Sequence, residues 1–378
     1  MALIQFLNKM HFDFGAVAML AAELVALNIR RPLICTDEGI KQAGILDNIQ
    51  AVIPDAVQVT CFTGTPSNPT EAKVMEALKL YQLAECDGVI SLGGGSSIDL
   101  GKAVSLLANH PAPLAQYAVM EGGMDKIQQT APLIAIPTTA GTGSEVSLGA
   151  VIICDDGRKL TIASEHLIPD VAICDPQLTI GLPASLTAAT GMDAVTHCIE
   201  AVLTNIVNPP AEGIGYDGLE RAIREGHLER SVKDGSDKDA RWNMLMASTE
   251  GAMAFVKGLG AVHAMSHACG RIDGLNLHHG TLNAVILPSI LRFNEGRVGN
   301  KYERLRRSMG LTEGADIAEF IEELNERLGM PKNLATMGVK EDMLPELIQH
   351  SLTDLMTFTN PRPVTEKDYE TMFLRLLT

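Results

Sequence analysis

Gly88-Val-Ile-Ser-Leu92 running directly into Gly93-Gly-Gly-Ser-Ser-Ile-Asp99 is the stretch that decides the fold. The first five residues are a short apolar run, the pattern of a buried strand. The glycines and serines that follow read as a tight turn, and a helical pattern opens near Ile98. Glycines at such a turn let the backbone approach a pyrophosphate, and the helix N-terminus adds unpaired N–H groups and a positive dipole end. The motif is not GxGxxG, and a plain strand-to-helix turn would use the same residues. Asp99, in the first helical turn, is placed either to accept from a ribose or a nicotinamide amide, or to cap the helix.

Working outward, strand-like and helix-like runs alternate up to residue 184. Gly15 to Leu27 is helical, 31–36 a strand, Glu38 to Ile49 helical, 57–62 a strand and Thr70 to Ala84 a helix with Thr70 as N-cap. Further strands are expected at 133–136, 150–154, 159–162 and 171–174, with a hairpin turn at Asp155-Asp-Gly-Arg158. Alternation of this kind predicts a parallel sheet with helices on both faces, an α/β unit over residues 1–184. A second loop, Pro137-Thr-Thr-Ala-Gly-Thr-Gly-Ser-Glu145, carries three threonine hydroxyls suited to phosphate and ribose. Asp37 ends the first of these strands, where a carboxylate holds adenosine ribose hydroxyls and repels a 2′-phosphate, favouring NAD over NADP.

Beyond Pro183 nearly everything reads helical, at 185–204, 215–225, 238–272, 281–293, 301–309, 315–328, 340–357 and 365–377, with loops at Asn208-Pro-Pro210 and Lys233–Asp237. Residues 185–378 are therefore expected to form an all-α domain. Inside it, Asp193 and His197 are four apart, as are His263 and His267, and His278-His279 follow. Spacing of four stacks side chains on one helix face. A lone histidine on an apolar helix is usually a hydrogen-bonded core residue, but two such pairs in one helical domain predict metal ligation. Asp193, His197, His263 and His279 form the candidate set, with His278 competing for the last place. Three imidazoles and a carboxylate suit Fe²⁺ and also Zn²⁺.

The totals set limits on this picture. The chain has 378 residues, 46% hydrophobic and 20% charged, the balance of a globular enzyme of two or three domains. A net charge of −16 argues against nucleic acid and acidic membrane surfaces as partners. Aromatic residues make up 4%, with Trp242 the single tryptophan, which disfavours base stacking. Cysteines at 35, 61, 86, 154, 174, 198 and 269 form no CxxC pair, the usage of reduced thiols. Neither a cleavable leader pattern nor a long apolar run is evident, so a cytoplasmic location is expected.

Taken in order, Gly93–Asp99, Pro137–Glu145, Ala189–Ala201, Gly258–His267 and His279-Gly280 with Leu287-Pro288 and Asn294 resemble the iron-dependent (group III) alcohol dehydrogenases of the dehydroquinate synthase-like superfamily. The resemblance covers essentially the whole chain. It implies a Rossmann-like N-terminal domain, a helical C-terminal domain and a cleft between them. It implies a metal on Asp193, His197, His263 and His279, and His267 beside the nicotinamide as the catalytic histidine without ligating. Asp37, Asn68, Gly94, Gly95, Ser96, Asp99, Thr138, Thr139, Thr142 and Lys159 would line NAD. One departure from the family pattern is a longer gap from His267 to the last histidine, which leaves both His278 and His279 open and makes the loop Gly270–Leu277 distinctive. Self-association, as a dimer or larger, is also implied.

Within the family the resemblance leans to 4-hydroxybutyrate dehydrogenases, through His11–Gly15, Thr65–Ala72, Gly251–Leu259 and His278–Ala284. It implies reversible NAD-linked oxidation of a primary alcohol, 4-hydroxybutyrate, to its aldehyde, succinate semialdehyde. A carboxylated substrate needs a cation, for which Arg271 and Lys257 are the candidates; each also reads as a solvated helix-face residue. Other readings are a dehydrogenase for another short alcohol, diol or lactaldehyde, a metal-free maleylacetate reductase-like enzyme, a metal-dependent lyase using NAD transiently, and a non-catalytic binding protein.

Overall fold

The computed structural model describes residues 8–378 except Asp273 and Asn276. The expectations about residues 1–7 and about those two positions of the Gly270–Leu277 loop lie outside the described residues. The chain divides into two compact units, residues 8–139 with Gly143–Ile180, and Ala140–Thr142 with Gly181–Thr378.

The first unit holds β1 (Lys9–Phe12), β2 (Pro32–Cys35), β3 (Thr60–Phe62), β4 (Gly88–Gly93), β5 (Leu133–Pro137), β6 (Gly149–Ile153), β7 (Lys159–Ala163) and β8 (Val171–Cys174). Its helices are α1 (Leu20–Ala26), α2 (Glu38–Gln42), α3 (Ile45–Gln50), α4 (Glu71–Leu83) and α5 (Gly95–Asn109). Six strands form one parallel sheet in the order β1-β8-β5-β4-β2-β3, and β6 pairs β7 as an antiparallel hairpin. Strands β2, β4, β5 and β8 are buried throughout, which is why they read as unbroken apolar runs. Alternate residues serve opposite faces. Leu33, Val89 and Leu133 pack with Val74, Leu100 and Val104 of α4 and α5. Ile34, Ile90, Ile134 and Ile173 pack with Leu20 and Leu24 of α1.

One expectation in this unit needs correction, and one strand had no counterpart in the sequence reading. The helix expected over 38–49 is two short helices, interrupted at Ala43-Gly44. Strand β1 was not anticipated. It is an edge strand paired only with β8 and largely half-buried, so it lacks the apolar run that marks the central strands.

The second unit comprises α6 (Ala184–Leu203), α7 (Pro209–Leu219), α8 (His227–Lys233), α9 (Lys238–Ala254), α10 (Ala261–Cys269), α11 (His279–Asn294), α12 (Lys301–Ser308), α13 (Ile317–Arg327), α14 (Leu344–Thr353) and α15 (Glu366–Leu376). Met192, Val195, Ile199 and Val202 of α6 lie in one apolar core with residues of α7, α9, α10, α11 and the C-terminal helices. Asn208-Pro-Pro210, expected as a loop, instead starts α7. The Asn208 side chain accepts from Ala211 N and Pro209 takes the first helical position, where its missing N–H costs nothing. The single helix expected over 238–272 is broken by a 3₁₀ turn at Phe255–Lys257 and by Gly258, whose φ of 90° ends it. Among the described residues, none of the seven cysteines is in a disulfide. Among the described residues, no helix is long and apolar enough to cross a membrane.

One buried acid makes this unit sensitive to pH. Burial, and then the neighbouring Asp217 carboxylate, push the Glu250 carboxyl up to about 9, with Arg221 opposing. From the ordinary value of 4.5 up to about 9, the folded chain keeps a proton that the unfolded chain has released. Stability is therefore full below the lower value and falls as pH rises, by at most about 1.4 kcal/mol per pH unit. Glu250→Gln keeps the shape without the proton. Its melting temperature is expected to match the parent's near pH 5 and to exceed it increasingly toward pH 9; parallel profiles would contradict the assignment.

Candidate functional site

Helix α6 sets the position of the chemistry in the second unit. Asp193 and His197 point from one face into the core, 2% and 4% exposed. His263 is 1% exposed in the first turn of α10, and His279 opens α11. One ligand atom from each of Asp193, His197, His263 and His279 lies within 4.8 Å of the others, a set that could hold a metal ion. Asp193 Oδ1 is central, at 3.7, 3.8 and 3.7 Å from Nε2 of His197, His263 and His279. The nitrogen that converges belongs to His279. His278 is exposed, with its Nδ1 beside Thr281 Oγ1 at 3.4 Å.

Helix α11 reaches this point because Gly280 lets it touch α6. A Cβ at Gly280 would stand 2.2 Å from Ala189 O and 3.2 Å from Asp193 Cβ. Any side chain there forces α11 away and His279 with it.

Every histidine of the set has its other ring nitrogen occupied. His197 Nδ1 donates to Gly141 O at 3.2 Å, and His263 Nδ1 donates to Glu200 Oε2 at 2.7 Å. His279 Nδ1 lies 2.8 Å from the Ser266 hydroxyl. A proton held at Nδ1 leaves the Nε2 lone pair facing the cluster, the usual arrangement behind metal-binding imidazoles. Burial, then the nearby His197, hold the His263 pKa well below 6.5, so that ring stays neutral.

The sequence reading passed over Glu200, although its place seven residues after Asp193 on the same helix stripe was the available signal. Burial pushes its carboxyl up to about 7 against N–H groups of Val262, Gly260 and His263. Those backbone donors are the open first turn of α10, created by the break after Gly258. Asn360 Oδ1 accepts from Ala261 N at the same turn. Glu200 thus anchors both the start of α10 and the ring it carries.

His267, one turn after His263, stays outside the cluster. Its ring stacks on His279 at 5.4 Å between centroids, and its Nδ1 donates to Asp354 Oδ2 at 2.9 Å. Asp354 lies 87 residues away in sequence and carried no local signal. Of the two substrate-cation candidates, Lys257 needs correction. Its ammonium is fully buried and donates to Glu212 Oε1 at 2.6 Å, so its charge is already matched inside the helical unit. Arg271 follows α10 in a half-buried turn.

In the first unit, the loops after β2, β4 and β5 lie side by side at the carboxyl ends of the strands, where open α/β sheets bind ligands. Gly94 caps α5, and Thr139 Oγ1 would lie 3.3 Å from a Cβ placed on it. Thr138 N donates to Gly93 O, and the buried Thr138 hydroxyl has no protein partner. Ser96 Oγ donates to Ser67 O beside Asn68, and Lys159 Nζ donates to Asn68 Oδ1 at 3.0 Å. Asp37 caps α2 through Ile40 N and accepts from Ser97 Oγ at 3.5 Å. Thr142 groups with the helical unit.

Asp99, expected either to accept from a ribose or a nicotinamide amide or to cap the helix, has partners inside its own unit. Its oxygens accept from Ser144 Oγ at 2.6 Å and Val151 N at 2.9 Å. One turn later, fully buried Lys102 donates to Ser147 O and Gly149 O, and burial lowers its pKa to about 8. Together they fasten the β6–β7 hairpin, which carries Lys159, to α5.

Glu200 provides a test of how the cluster is held. Glu200→Ala strands buried N–H groups, each loss costing about 1–3 kcal/mol. Glu200→Gln keeps the volume but weakens the hold on His263, and divalent-cation affinity is expected to fall about 10–100-fold. Equilibrium dialysis with Zn²⁺, beside melting curves in chelator, separates the two effects; unchanged affinity in both variants would remove Glu200 from the site.

Known proteins resemble this chain over nearly its full length. Residues 8–176 match the iron-containing alcohol dehydrogenase family model, and residues 187–377 match the C-terminal model of the same family. The chain is 53% identical to 4-hydroxybutyrate dehydrogenase of Cupriavidus necator, over 98% of this chain and 99% of that one. A solved 1,3-propanediol oxidoreductase superposes with a TM-score of 0.93 at 33% identity, covering 100% of both chains. Sulfoacetaldehyde reductase from Bifidobacterium kashiwanohense, solved in complex with NAD+, gives 0.90 at 25% identity over 100% and 99%. The chain belongs to the iron-containing alcohol dehydrogenase family.

Proposed function

We propose that this enzyme catalyses reversible NAD-linked oxidation of 4-hydroxybutyrate to succinate semialdehyde. The observation that carries the substrate assignment is 53% identity, over nearly the full length of both chains, to a 4-hydroxybutyrate dehydrogenase. The reaction converts R–CH₂OH and NAD⁺ into R–CHO, NADH and a proton.

Asp193, His197, His263 and His279 would hold a divalent cation, Fe²⁺ or Zn²⁺, since their donor atoms converge and Nε2 of each ring faces inward. When bound, such a cation supplies the Lewis acidity that makes an alcohol hydroxyl more acidic and an aldehyde carbon more electrophilic. NAD carries the hydride chemistry itself. Asp37, Asn68, Gly94, Gly95, Ser96, Thr138, Thr139, Thr142 and Lys159 would bind it, with Asp99 acting through the hairpin it secures. Asp37 would favour the unphosphorylated ribose. His267, oriented by Asp354, would take up the released proton at Nε2 or orient the nicotinamide ribose. Arg271 would hold the substrate carboxylate. We place the enzyme in the cytoplasm as a homodimer or larger assembly, in line with the absence of disulfides and the family resemblance.

The test is NADH formation by chelator-stripped protein resupplied with Fe²⁺ or Zn²⁺. 4-Hydroxybutyrate is expected to give a higher kcat/KM than 1,3-propanediol, 1,2-propanediol or butanol. Arg271→Ala is expected to raise KM about 10-fold or more for succinate semialdehyde and little for butanal, a loss of about 1.4 kcal/mol. Preference for a diol would overturn the substrate, full activity without metal would point to maleylacetate reductase-like chemistry, and equal effects on both aldehydes would dismiss Arg271.

A further inference from the structure

The structure assigns Asn283 to the metal centre: one turn beyond His279 on α11, its amide N–H holds the Asp193 carboxylate and fixes the oxygen it offers, as a positioning residue. The inference rests on the reading that the four converging side chains bind a cation.

Asn283 is 0% exposed, in the middle of an apolar helix bundle. Its Nδ2 lies 2.7 Å from Asp193 Oδ1, 3.2 Å from His263 Nε2 and 3.2 Å from His279 Nε2. Three acceptors therefore face two N–H groups, and the charged oxygen takes the shortest contact. The other end of the amide, Oδ1, is buried with no protein partner. A residue kept for packing alone would not leave a buried carbonyl oxygen unpaired, since an apolar side chain of the same volume fills the space without that cost. The polar group is explained by what its nitrogen touches.

The placement follows from helical repeat. His279 and Asn283 are four apart on α11, as Asp193 and His197 are on α6, so the spacing that aims two ligands from one helix aims a ligand and an amide from the other. Asp193 Oδ1 stands 3.7, 3.8 and 3.7 Å from the three imidazole nitrogens that it faces. A carboxylate can rotate about its last bond, and the Asn283 N–H is what holds this oxygen toward the histidines. The amide also stands against three of the four ligand residues and closes that side of the cluster.

The experiment compares parent, Asn283→Leu and Asn283→Ala in three readings: melting temperature in chelator, Zn²⁺ affinity by competition with a chromophoric chelator, and the visible spectrum of the Co²⁺ form. The expected result is a chelator-state melting temperature for Asn283→Leu near the parent's, Zn²⁺ affinity lower by about 10–100-fold, and an altered Co²⁺ band. Should Asn283→Leu fail to fold, Asn283→Ala, which also lacks the donor, is read in the same way. Parent-like affinity and spectrum in a folded variant overturn the role of Asn283 alone. A parent that binds neither Zn²⁺ nor Co²⁺ overturns the metal reading together with it.

Discussion

The buried carboxylate of Asp193 is the constraint around which the helical unit is organised. A carboxylate out of water is costly unless positive or donating groups surround it. Here three imidazoles on three different helices turn their Nε2 atoms toward one of its oxygens, each at close to the same distance. The Asn283 N–H donates to that oxygen without neutralising its charge, and the convergent donor atoms around it suit a cation. Each ring is in turn fixed from behind, by Gly141 O, by Glu200 or by Ser266. The backbone contact of Gly280 with Ala189 brings the third helix close enough to take part.

The sheet unit solves a different problem with the same economy. Its parallel strands are buried on both faces, so the loops at their carboxyl ends are the free surface on which chemistry can be placed. Asp99 and Lys102, one turn apart on α5, are spent inside the unit, where they fasten the β6–β7 hairpin. That hairpin presents Lys159 to Asn68, joining two sequence-distant candidates. A charged residue in a glycine-rich motif thus serves the motif's neighbours before it serves any ligand.

Much of this was legible because local periodicity reports local burial. Seven of the eight strands and most helices stand where runs of apolar residues place them, and spacing of four marked Asp193, His197 and His263. The failures share a cause. The edge strand β1 pairs with a single neighbour and carries no apolar run. The long helix expected from 238 to 272 breaks at Gly258, because a helical pattern of apolar residues continues across a turn that a glycine with positive φ reverses. Asn208-Pro-Pro210 was misread because residues common in loops also start helices. Lys257 looked like an available charge until its partner Glu212, 45 residues away, was seen.

The amino-acid sequence by itself determined the parallel sheet, the glycine-rich turn at the end of β4, the helical second half and three of the four converging side chains, Asp193, His197 and His263. Those features follow from periodicity and spacing within a few turns of chain. Only the tertiary structure decided that His279 and not His278 joins the cluster, that Glu200, Ser266 and Asp354 stand behind the histidines, and that Asp99 and Lys257 are committed to internal partners. Each of those facts is a contact between residues distant in sequence. Which nitrogen is free and which charge is matched depends on the packing of whole helices, and no local pattern encodes it.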